Sequence, residues 1–220
     1  MNSQTRREIR SGLSALALSG LLFALGIVLR GPVSLADPGS CCRAAVSAGY
    51  VPGWTIILVA TLLHLYGFFG LYRYLTYQAE HLVALLAMVL EIVGIALLTA
   101  LTVFFAVSAP VIAELYQQGN KEAMAVVEAN FTGTLGLTLL GVSTAGGLVG
   151  TILFTVAIWR DGRLPKWTAV LLGLSILLLA LPLTFPTELL GAVLLLVSAG
   201  VMAWKGWQES AANNEGGSAD

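Results

Sequence analysis

The sequence predicts an all-α polytopic membrane protein, a bundle of six membrane-spanning helices with a short polar tail. Three observations carry the prediction. First, 57% of the 220 residues are hydrophobic and 10% are charged, against ~25% charged in a soluble domain. Second, the mean hydropathy is +0.87, far from the low hydrophobicity of a disordered chain. Third, the apolar residues gather into six long runs. In hydrocarbon such runs must satisfy their own backbone N–H and C=O groups, which means helices rather than open strands. Eleven Lys and Arg against twelve Asp and Glu leave a net charge of −1, so nucleic acid is not an expected partner. The lipid bilayer is.

A bilayer core of ~30 Å needs ~20 mostly apolar residues per helix. The spans fall at about 13–29, 54–72, 82–108, 131–159, 167–185 and 189–204. Residues 1–208 then form one transmembrane domain, and 209–220 a disordered cytoplasmic tail. The first span follows Arg6, Arg7 and Arg10. It shares features with a signal peptide, including small residues at Val33-Ser34-Leu35-Ala36. Its apolar run is about 17 residues, beyond the usual ~7–15, and Arg30 follows it, so a retained span is expected. A short polar turn at 73–81 pairs the second and third spans, and one at 160–166 pairs the fourth and fifth. The fourth run is the longest and the sixth the shortest.

Two connections are longer. Residues 30–53 carry Pro32, Pro38, Pro52 and the vicinal pair Cys41-Cys42. Adjacent cysteines rarely bond each other, because the ring is strained. A disulfide to a partner subunit and two unbonded loop thiols both stand as readings. A metal site is not expected, since two ligands are too few for a closed zinc site. The second connection, 109–130, opens at Pro110, turns at Gln118-Gly119-Asn120 and ends in a helix-forming run at 121–128.

Lys and Arg collect on the cytoplasmic side of membrane proteins. With the N-terminus inside, Arg6, Arg7, Arg10, Arg73, Arg160, Arg163, Lys166 and Lys205 are cytoplasmic, while Arg30, Arg43 and Lys121 are outside. Eight against three places both termini in the cytoplasm, with the chain in the inner (plasma) membrane. Trp54, Trp159, Trp167, Trp204 and Trp207 fall near span ends, where amphipathic rings favour the headgroup level.

Ionisable residues at membrane depth are costly and therefore candidates for function. His64 lies in the second span and Glu91 in the third. They sit 13 and 14 residues from the centre of the intervening turn, near Tyr77, hence at equal depth. Their small neighbours, Ala60, Thr61 and Gly67 beside His64 and Ala84, Ala87 and Gly94 beside Glu91, point both faces at protein. Side chains within ~4–6 Å of each other are expected. The fourth span is rich in small residues. Gly141, Ser143, Gly146, Gly147 and Gly150 read as a close-packing face or as a hinge in a broken helix, the place where transporters bind substrate. No HExxH, GxSxG, GxxxxGK or CxxCH motif occurs, so neither a cofactor nor an enzyme is expected.

The stretch Ile158-Trp159-Arg160-Asp161-Gly162-Arg163-Leu164-Pro165-Lys166-Trp167, with an apolar span on each side, resembles uncharacterised six-helix bacterial integral membrane proteins classed only as domains of unknown function. The resemblance implies the fold and transfers no site residue. Two functional readings follow from the residues. One is a non-enzymatic accessory, sensor or scaffold component working with other membrane subunits or a second copy. The other is a small proton-linked transporter using His64 and Glu91. A cavity reaching both residues from one side would favour the second.

Overall fold

The computed structural model describes residues 3–33, 44–77, 81–120, 122–123, 125–126, 133–180 and 184–215. The described residues form six long helices and no strand: α1 (Ser3–Arg30), α2 (Tyr50–Thr76), α3 (His81–Gln117), α4 (Thr134–Asp161), α5 (Lys166–Ala180) and α6 (Phe185–Glu215). Five of them are long and apolar enough to cross a membrane. The exception is α5, whose 15 residues rise only ~22 Å.

Number and order match the sequence reading, but several boundaries do not. The loop expected to open at Pro110 is helical to Gln117. One proline costs a single backbone bond, and the chain carries no further breaker until Gly119, whose φ of +89° ends the helix in a conformation glycine adopts without strain. The fifth helix is described from Lys166 to Ala180; residues 181–183 lie outside the described residues. The sixth begins at Phe185 and is among the longest instead of the shortest. It runs through most of the tail expected to be disordered, because no Gly or Pro interrupts the chain between Gly206 and Gly216. In the 121–128 run, the described residues 122–123 and 125–126 are helical, as expected.

The helices close into a ring. Each packs on its chain neighbours, and α6 returns to α1. The tightest seam is α1 against α2, where a Cβ on Gly12 would lie 2.5 Å from the Cα of Gly70. Small residues allow such backbone approach, which dispersion then rewards. Contact across the ring is sparse. It is made where Phe68 of α2 stacks on Phe154 of α4, ring centroids 5.0 Å apart.

The chain direction alternates, so one end of the ring holds Arg30, the starts of α2, α4 and α6, and the far ends of α3 and α5. The opposite end holds both chain termini and most of the ionic stitching. There Arg73 pairs with Glu8 at 2.9 Å. Arg163 pairs with Asp161 at 2.8 Å, donates to the Tyr74 carbonyl at 2.8 Å and lies 4.2 Å over the Tyr74 ring. Gly162, φ +73°, closes α4 beside this cluster. Trp159, Trp167, Trp204 and Trp207 are exposed, as rings at an interface should be. Trp54 is the correction: it is 8% exposed and turns into the ring.

Candidate functional site: a cavity ending at Glu91 and His64

The sparse packing across the ring leaves a partly open cavity of about 210 Å³, lined by residues of all six helices. It extends from the Arg30 end to mid-depth and is mostly apolar. An aromatic stack lies beyond its deep end. Phe68 stacks on Phe154 one to two helical turns beyond the deepest lining residues, and His64 meets Phe68 edge-on at 4.6 Å.

At the outer rim Arg30 of α1 and Glu188 of α6 form a buried ion pair, with side chains 7% and 4% exposed. The Arg30 guanidinium also lies 4.7 Å over the Trp54 ring. Trp54 stacks on Phe105 of α3 at 4.9 Å. Two buried donors at this rim, Trp54 Nε1 and Arg30 Nε, have no hydrogen-bond partner among the described residues.

His64 and Glu91 lie together at the deep end and both line the cavity. Glu91 is only 2% exposed, so it faces protein rather than lipid, as expected. No hydrogen bond or ion pair joins the two side chains. Glu91 Oε1 accepts from Thr151 Oγ1 of α4 at 2.6 Å, while His64 Nδ1 lies 3.3 Å from Ser19 Oγ of α1. Equal depth was read correctly from the turn, but each helix turns its polar residue toward a different neighbour. No cation among the described residues lies within ion-pair distance of Glu91.

The small residues of α4 divide into two sets. The helix is unbroken from Thr134 to Asp161, so the chain has no break at 143–147. Ser143 donates to the Gly94 carbonyl of α3 at 2.9 Å. A Cβ on Gly94 would lie 2.7 Å from Gly147 N, and one on Gly150 would meet Ala87 O and Glu91 Cγ at 3.0 Å. A Cβ on Gly146 would also approach α3, 3.3 Å from Leu90 O. These residues are packing. Gly141 and Gly147 have open space where a Cβ would stand, and Gly147 lines the cavity. Cys41 and Cys42 lie outside the described residues. No cluster of metal ligands occurs among the described residues.

Arg30, Glu188, Ser19, Thr151 and the Phe68–Phe154 stack were not singled out in the sequence. Arg30 and Glu188 border their apolar runs. In comparisons with protein-family models, curated proteins and solved structures, nothing matches this chain.

Proposed function

We propose that this protein is a small membrane carrier whose central cavity holds one small molecule at Glu91, with a proton as the coupled species. The observation that carries the reading is a cavity that reaches Glu91 and His64 from one end, with an aromatic stack beyond the other. A carboxyl at membrane depth without a countercharge is expensive. Either a proton or a ligand that answers its charge completes the site, and competition between the two is the simplest coupling.

With eight of the eleven Lys and Arg on the terminal side, the positive-inside rule puts both termini in the cytoplasm. The cavity then opens outward in the inner (plasma) membrane. α1 belongs to the site, because Ser19 partners His64 and Arg30 forms the rim; a carrier therefore needs it retained. An accessory, sensor or scaffold role fits the small size but leaves the cavity and its carboxyl unexplained.

The test is reconstitution in proteoliposomes loaded with a pH-sensitive dye. A panel of small amines, alcohols and carboxylates is added on the side of the Arg30 end. At least one class is expected to move protons, with Glu91→Gln slowing that movement by ~10-fold or more. Proton movement equal in wild type and Glu91→Gln would exclude the reading.

A further inference from the structure

We infer that the cavity takes an apolar amine in its protonated form: one aromatic ring on a short chain, with the ammonium group seated at Glu91. The inference deepens the carrier reading and rests on the same cavity.

Apart from the Thr144 hydroxyl, which lines the cavity, the deep end presents acceptors rather than donors. The hydroxyl of Thr61 donates to the Ile57 carbonyl at 2.8 Å, and that of Ser143 to the Gly94 carbonyl at 2.9 Å. Ser19 donates to the Leu16 carbonyl at 2.7 Å, so the proton in its contact with His64 comes from His64 Nδ1. In the neutral ring that assignment leaves Nε2 as an acceptor. Thr151 spends its proton on Glu91. A ligand that fills this end without leaving polar groups unpaired must bring the donors itself.

Charge and shape narrow the class. Among the described residues Glu91 has no cation at ion-pair distance, and an ammonium supplies one together with three N–H donors. Phe23 and Phe105 line the walls and offer ring surface to an aromatic ligand; the faces of Trp54 are taken by Arg30 and Phe105. A dry cavity of ~150 Å³ admits benzene, so about 210 Å³ has room for a ring and a short chain. The charge of Arg30 is answered by Glu188, so the rim does not repel a cation. The unpartnered donors Arg30 Nε and Trp54 Nε1 belong to the rim, away from the seat of the ammonium. The titratable groups facing the cavity are His64 from α2, Glu91 from α3, Arg30 from α1 and Glu188 from α6; α4 and α5 present none among the described residues.

The experiment is equilibrium binding to the full chain in nanodiscs, with empty nanodiscs as the reference. Three probes of one shape are compared: 2-phenylethylamine, neutral 2-phenylethanol and anionic 3-phenylpropionate. At pH 8 the amine is expected to bind ~10-fold or more tighter than the alcohol, as for a charge-assisted bond, and the anion not at all. From pH 8 to pH 5 the amine should weaken as protons compete for Glu91, since an alkylammonium (~10.4 in lysine) stays charged over that range. The alcohol should not change. Glu91→Gln should remove both the preference and the pH dependence. If Glu91→Gln does not fold, the charge series and pH response of the wild type decide alone. An alcohol bound as tightly as the amine would overturn the amine and leave the carrier reading in place. Binding of none of the three overturns the inference too, and the carrier reading then stands or falls by the proteoliposome assay.

Discussion

Arg30 and Glu188 illustrate what a single residue does when its position in the ring differs from its position in the sequence. A buried pair gains Coulomb energy only against a large desolvation cost, so its net worth is small, whereas one partner left alone is strongly destabilising. Arg30→Ala should therefore cost ~3–5 kcal/mol, read as a lowered thermal midpoint in detergent. The double replacement Arg30→Met with Glu188→Leu should recover most of that loss; a double variant no more stable than either single one would show that the pair itself is needed. The same scale shows what was legible beforehand. His64 and Glu91 stood out because ionisable residues in an apolar run are rare, and their equal depth followed from counting. Their partners did not stand out. Ser19 and Thr151 are ordinary residues in helices, and which of them meets which face is decided by helix rotation, a tertiary property that residue counting does not hold.

Helices read well as objects and poorly at their ends. Composition alone gave six of them. Pro110 and the polar tail misled about boundaries, because a proline costs a single backbone bond when packing supports the helix, and a polar segment without Gly or Pro simply continues the helix before it. The glycines of α4 were legible as packing, and Gly146 and Gly150 serve that purpose against α3. The closer seam between α1 and α2 was overlooked, since its glycines are spread thinly through two strongly apolar runs. Gly70→Leu should thus disturb the fold more than any change at Gly141, where a Cβ meets nothing within 4 Å. Gly141→Ala is expected to leave the thermal midpoint within ~0.5 kcal/mol of wild type, and Gly70→Leu to cost ~1–3 kcal/mol or more from overpacking. Equal behaviour of the two variants in a melting series would contradict the packing described for α1 and α2.

The whole molecule is a ring with an aromatic stack across it. Its closure of α6 on α1 was not legible, because no periodicity in the chain says which non-adjacent helices meet. The orientation rests on charge counting and is open to direct test. A reporter fused after Arg163 should signal from the cytoplasm and one after Lys121 from outside; the reverse pattern would turn the cavity to face inward. The stack makes a separate demand. Phe68→Ala should loosen the Phe68–Phe154 stack and let protons leak through proteoliposomes without added ligand, whereas an unchanged leak would mean that the seal lies elsewhere.

The central claim, a cavity entered from the Arg30 end and closed beneath Glu91, is tested most directly by thiol accessibility at Gly147. This residue lines the cavity and has open space for a side chain. In a Cys41→Ser, Cys42→Ser background, Gly147→Cys should react with a membrane-impermeant cationic thiosulfonate applied to the side of the Arg30 end. It should not react from the side that carries the termini, and adding Phe68→Ala should admit the reagent from both. Reaction only from the terminal side, or from neither, would contradict the account.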